Sequence, residues 1–143
     1  MNKDAAVESA PKSDYFTVCH DREYAGKHLL IDIWGAQELD NHALLERTLR
    51  ESVQAAGATL LHLHVHQFSP TGGLSGTAVL AESHLNVHTW PERNYAAFDV
   101  FMCGKADPEA VVDVIKNAFK PTDVHVETKL RGLISRPEQI KDT

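Results

Sequence analysis

The sequence predicts an α+β domain, a two-layer sandwich in which two helices cover one face of an antiparallel sheet. Two stretches repeat apolar residues at helical spacing, and six short apolar runs of strand length surround them. The order reads β-α-β-β and then β-β-α-β, as two similar halves. The chain has 143 residues, 43% hydrophobic and 24% charged, enough for one buried core but not for two ordinary domains.

Residues 1 to about 20 mix Ser, Lys, Asp, Ala and Pro without hydrophobic period and read as a flexible tail, leaving 21–143 as a single domain. His28–Trp34 has the length and apolar content of a strand, which Gly35 ends. Asp40 or Asn41 caps a helix over His42–Ala56, whose buried stripe is Leu45, Leu49 and Val53 with Leu44, Thr48 and Ser52 alongside. Gly57 stops it. Strands follow at Thr59–Phe68 and Gly76–Glu82, separated by the turn-forming Ser69-Pro70-Thr71-Gly72-Gly73. His84–Trp90 is another strand, broken by Pro91, with Ser83 read as lying mid-strand. Ala97–Cys103 alternates in strand fashion. Asp107-Pro108 opens a second helix that buries Val111, Val112, Ile115, Ala118 and Phe119, and Val124–Leu130 is the last strand. The strands are apolar on both faces, so the face without helices is expected to meet a second copy in a homodimer.

Several classes are excluded. A net charge of −6 argues against a general nucleic-acid or anionic-membrane binder. No apolar run approaches the ~18 residues of a membrane span. The N-terminal residues are too polar for a signal peptide, and the widely separated Cys19 and Cys103 make no disulfide framework or CxxC zinc site. A cytoplasmic protein is expected.

Three histidines, His62, His64 and His66, share one face of a strand, a spacing that can offer two imidazoles to zinc. Without a second ligand cluster, a polar outer face accounts for them as well, and no metal is expected. His42 and His125 read as solvated. Ser83 lies within five residues of His84 and His88, and an imidazole can take a hydroxyl proton, yet no GxSxG elbow is present.

The run Leu80-Ala81-Glu82-Ser83-His84-Leu85-Asn86-Val87-His88-Thr89-Trp90-Pro91-Glu92 resembles the self-cleavage region of the prokaryotic S-adenosylmethionine decarboxylases. Tyr95–Gly104 resembles the strand that carries their catalytic cysteine, and a weaker likeness runs from Lys27 to Gly132. The resemblance implies a proenzyme cut between Glu82 and Ser83. The Ser83 oxygen attacks the Glu82 carbonyl, elimination releases the upstream chain, and hydrolysis leaves a pyruvoyl group at residue 83. That group, the only cofactor implied, serves as the electron sink of a decarboxylase. By the same resemblance Ser75 is a processing hydroxyl, His88 the processing base and Cys103 the proton donor. If the strands carrying them are neighbours, Ser83, Ser75 and His88 can converge on one bond.

For the substrate, Phe68 and Trp90 resemble the family's aromatic contacts and Glu92 its ribose-binding carboxylate. The product would supply aminopropyl groups for spermidine. The chain departs from the commoner pattern at Arg93-Asn94, at Met102, in the longer Gly72-Gly73 loop, and at Asp32, where relatives often carry Glu. These changes surround the pocket. They leave open a pyruvoyl-dependent decarboxylase of arginine or ornithine, with Asp32 or Glu92 meeting the distal cation. From a different class stands a non-enzymatic, histidine-rich metal-binding protein, which predicts an uncut chain.

Overall fold

The computed structural model describes residues 16–19 and 21–134. Its strands are β1 (Thr17–Cys19), β2 (Arg22–Tyr24), β3 (Gly26–Trp34), β4 (Leu60–Gln67), β5 (Leu74–Leu80), β6 (Ser83–Trp90), β7 (Tyr95–Met102) and β8 (Asp123–Arg131), and its helices are α1 (His42–Ala56) and α2 (Glu109–Phe119). β1 and β2 pair as a small hairpin, so Thr17–Cys19, expected within a tail, is a strand. Of the rest of that expected tail, residues 1–15 and 20 lie outside the described residues, as do residues 135–143.

The other six strands form one antiparallel sheet in the order β4-β5-β6-β7-β3-β8. β3 belongs to the first half of the chain but lies between β7 and β8 of the second. The two halves are therefore interleaved in the sheet rather than set side by side.

Alternation along each strand builds the core. Leu29, Ile31 and Ile33 of β3, Phe98, Val100 and Met102 of β7, and Leu85 and Val87 of β6 face the helices and are almost fully buried. α1 meets them with Leu45, Leu49 and Val53, and α2 with Val111, Ile115 and Phe119. Each such side chain contributes about 1.5–3 kcal/mol by leaving water. Val112 and Ala118, expected in the buried face of α2, are only partly buried.

Local chemistry sets the helix ends. Asn41 Oδ1 accepts the Leu44 N–H at 3.0 Å, satisfying a donor the first turn leaves free. Gly57 closes α1 at φ 75°, a left-handed conformation suited to glycine. Before α2, Asp107 Oδ1 accepts the Glu109 N–H at 3.1 Å, and the helix starts one residue after Pro108. His42, expected in solvent, instead has Nε2 3.2 Å from the Val65 carbonyl oxygen.

The opposite face of the sheet carries no helix. Cross-strand register lines its side chains into rows. One row runs His125–Asp32–Ala97–His88–Ser75–His66. Another, near the far end of β6, runs Lys129–His28–Phe101–His84–Val79–His62. Leu30, Trp34, Val79 and Trp90 stand on this face with 40–46% of their surface exposed.

Candidate active site

β5 and β6 are joined by a two-residue turn, because Leu80 pairs with Ser83 and leaves only Ala81 and Glu82 between them. Glu82 takes φ 70°, a left-handed conformation that costs a non-glycine residue about 1–2 kcal/mol. Ser83 is thus the first residue of β6 and not a mid-strand residue, and the peptide bond before it sits at the tip of a strained turn.

Cys103, just past the end of β7, reaches this turn twice. Its backbone N–H donates to Ser83 Oγ at 3.3 Å, and its Sγ donates to the Glu82 carbonyl oxygen at 3.2 Å. One residue therefore holds the hydroxyl and the carbonyl on either side of a single peptide bond. A thiol aimed at a carbonyl oxygen also polarises that carbonyl. Burial, then the Glu82 charge, push the Cys103 thiol above its ordinary value, while the hydrogen bond with Ser83 lowers it; the net shift is upward. At neutral pH the sulfur keeps its proton. Glu82, Ser83 and Cys103 line a cleft of about 500 Å³ with Gly57, Thr59 and Lys105.

Ser75 and His88 lie elsewhere. Their strands are neighbours, as expected, but antiparallel register puts Ser75 opposite His88 and Leu80 opposite Ser83. Five residues separate Ser83 from His88 along β6, about 17 Å at about 3.4 Å per residue. The three side chains do not converge within one chain. Ser75 and His88 line a second hollow, of about 290 Å³, with His64, His66 and Phe68. Phe68, 51% exposed, packs edge-on against His66 with centroids 4.5 Å apart. Trp90, 40% exposed, lies 5.2 Å from the Tyr95 ring and 6.1 Å from His88. Glu92 follows, exposed, on the 3-10 turn Pro91–Arg93.

Asp32 is already engaged. Its Oδ1 accepts the Tyr95 hydroxyl at 2.6 Å, and that bond, with burial and the Asp32 charge, pushes the phenol up to about 12. Trp34 stacks on the other side of Tyr95 at 4.2 Å.

The model of the S-adenosylmethionine decarboxylase family matches residues 27–132. The chain is 44% identical over 110 residues to an S-adenosylmethionine decarboxylase proenzyme of Thermomicrobium roseum, covering 76% of this chain and 95% of that one. A proenzyme of the same name from Methanococcus vannielii is 46% identical over 116 residues, covering 79% and 94%. The chain belongs to the S-adenosylmethionine decarboxylase family. The crystal structure of the adenosylmethionine decarboxylase from Aquifex aeolicus superposes with a TM-score of 0.71 at 30% identity, covering 79% of this chain and 95% of that one.

The fold brings together residues of the helix-free face that no local sequence signal joins. Among the described residues, the metal-capable side chains that gather within 4.8 Å are His28, His84 and Asp99, not His62, His64 and His66. The signal was present in part, since His28 and His84 begin alternating strands. What the sequence did not carry is that β3, β7 and β6 lie side by side. The pairing of Tyr95 with Asp32 is hidden from the sequence for the same reason.

Proposed function

We propose that this member of the family cuts itself between Glu82 and Ser83 and then, using a pyruvoyl group formed from Ser83, decarboxylates S-adenosylmethionine. The observation that carries the reading is the double hold of Cys103 on Ser83 Oγ and on the Glu82 carbonyl oxygen. For the cut, Ser83 Oγ adds to the Glu82 carbonyl carbon and the peptide C–N bond breaks, leaving an ester and a free amine. Removal of the Ser83 α-proton by a base expels the Glu82 carboxylate, and water converts the resulting alkene to a ketone with loss of ammonia. The strain at Glu82 and the Cys103 thiol both favour the first step.

When formed, the pyruvoyl group supplies an electron sink next to the substrate's amine. The rest falls to the chain's own residues. Cys103, protonated and 3.2 Å from the turn, is the group suited to deliver a proton to the substrate carbon. Phe68 and Trp90 offer flat apolar faces for a purine ring and a sulfonium, and Glu92 a carboxylate for ribose hydroxyls.

Geometry argues for a homodimer. A general base must come within about 3 Å of its proton, and His88 is about 17 Å along its strand from Ser83. The helix-free face, with its exposed Trp34, Trp90, Leu30 and Val79, is where a second copy would bring Ser75 and His88 to the Glu82–Ser83 bond. A cytoplasmic setting goes with this reading, since both cysteines are free. Among the described residues, no helix is long and apolar enough to cross a membrane.

The test is direct. Purified protein should run on a denaturing gel as fragments of 82 and 61 residues, about 9 and 7 kDa at ~110 Da per residue, the smaller with a blocked N-terminus by mass spectrometry. CO₂ release should follow addition of S-adenosylmethionine and not of arginine or ornithine. An uncut wild-type chain defeats the whole proposal, and activity on a basic amino acid alone defeats the substrate.

A further inference from the structure

Cutting the chain before Ser83 removes the turn that tethers this end of β6 to β5. The reacting residue then becomes the end of a strand, and something other than the turn must hold it. The next side chain, His84, has Nε2 3.4 Å from Asp99 Oδ2. The same carboxylate oxygen lies 2.9 Å from His28 Nε2. His28 Nδ1 in turn lies 3.1 Å from Arg131 Nη1. Four neighbouring strands, β8, β3, β7 and β6, thus contribute one side chain each to a continuous polar chain. Phe101 packs against both imidazoles, with centroids 5.7 Å from each.

Two imidazoles and a carboxylate within 4.8 Å also have the makeup of a metal site. Arg131 decides against it. A guanidinium has donors only, so His28 Nδ1 accepts, and the proton of the neutral ring resides on Nε2, aimed at Asp99. A metal-bound histidine needs the reverse, a bare ligating nitrogen and an acceptor for its other N–H.

We infer that Arg131, His28, Asp99 and His84 are positioning residues that hold the severed end of β6 against Cys103 after cleavage. The inference rests on the self-cleavage proposed above. Before the cut the turn does this work, so the polar chain matters little to processing. Afterwards it fixes residue 84, and through it residue 83, relative to β7, which carries Cys103.

The test compares wild type with Asp99→Asn, which keeps shape but removes the charge, and with Arg131→Met, which keeps the aliphatic stem and removes the guanidinium that meets His28. Both variants should be cut at a rate within about twofold of wild type. In the cut enzymes kcat should fall about tenfold for Asp99→Asn and about threefold for Arg131→Met, with KM within about twofold, as expected for loss of charge-assisted contacts. Amide exchange at residues 84–86 should speed up about tenfold in cut Asp99→Asn and stay unchanged when the same substitution is made in the uncut Ser83→Ala chain.

Equal kcat in wild type and both variants overturns the inference. So does a rise in exchange that is the same in cut and uncut chains, or a parallel loss of processing and turnover. Stoichiometric zinc binding by wild type that His28→Gln abolishes would make the cluster a metal site instead. If wild type itself is not cut, self-cleavage fails, and that outcome is separate from all of these.

Discussion

The separation of Ser83 from His88 makes a quantitative prediction about mixed subunits. Five residues of extended chain put about 17 Å between them, several times the ~3 Å reach of proton transfer. If His88 is the processing base, it serves the Ser83 of the other copy. Chains carrying His88→Ala keep a competent Ser83 and lack the base, and chains carrying Ser83→Ala have the opposite defect. Alone, the first should be cut about 10²–10⁴-fold more slowly than wild type, the usual contribution of a positioned base, and the second not at all. Co-expressed in equal amounts and paired at random without later exchange of subunits, about half the dimers are mixed, and each has one intact composite site and one doubly defective site. About half of the chains that retain Ser83, or a quarter of all chains, should therefore be cut. A denaturing gel with the two chains tagged differently reads this fraction and shows which chain was cut. No cleavage in the mixture, or wild-type cleavage of His88→Ala alone, would refute placement of the base on the opposing copy.

Other consequences follow from single contacts. Because burial and the Glu82 charge raise the Cys103 thiol, its proton remains available as pH climbs through the ordinary thiol value of 9.0 and is lost only above it. In the uncut Ser83→Ala chain the thiolate absorbance of Cys103 should accordingly develop only above 9.0, and development at or below it would show that burial and the Glu82 charge do not hold the proton on sulfur. Tyr95 should ionise near 12 by ultraviolet titration, and Asp32→Asn should bring it back toward 10.0. A Tyr95 unaffected by that change would mean the 2.6 Å bond does not persist in solution. Buried Thr89 accepts the Leu74 N–H and donates to the Leu39 carbonyl, both at 2.8 Å. Thr89→Val strands both partners and should cost about 2–3 kcal/mol, or roughly 6–12 °C in Tm; a loss under about 1 kcal/mol by urea unfolding would show that water replaces the hydroxyl.

What could be read from the sequence divides by the range of the forces involved. α1 was legible to its ends, because the Asn41 cap, the Leu45-Leu49-Val53 stripe and Gly57 are all local signals. The strands and the α+β class followed from alternation and order. The β5–β6 turn was not legible, since its left-handed position is occupied by Glu82 where glycine or asparagine would have announced it. For that reason the sequence alone places Ser83 mid-strand. Nor does local pattern say that β3 slots between β7 and β8, the placement that sets His28 beside Asp99 and Asp32 beside Tyr95. The separation of Ser83 from Ser75 and His88 is likewise a fact of register. A one-residue slip would have put His88 on the helix side of the sheet.

The same geometry bears on substrate. Phe68, Trp90 and Glu92 lie toward the Ser75–His88 end of the sheet, whereas Glu82, Ser83 and Cys103 lie at the other. A molecule that reaches Cys103 while touching Trp90 of the same chain would have to span seven residues of strand, about 24 Å, far longer than any of the amino acids considered. In the face-to-face dimer proposed above, different copies would hold the adenosyl end and the amino-acid end, and the span would disappear. Arginine and ornithine fit this arrangement less well. Neither brings a ring to the half-exposed Phe68 and Trp90, and the carboxylate best placed to greet a distal cation, Asp32, is already committed to the Tyr95 hydroxyl. Releasing it would forfeit a hydrogen bond to a charged group, worth about 1.5–3 kcal/mol, before any new ion pair formed. Asp32 thus serves the aromatic row Trp34–Tyr95–Trp90 through its bond to the Tyr95 hydroxyl, which favours the proposed adenosyl substrate over a basic amino acid.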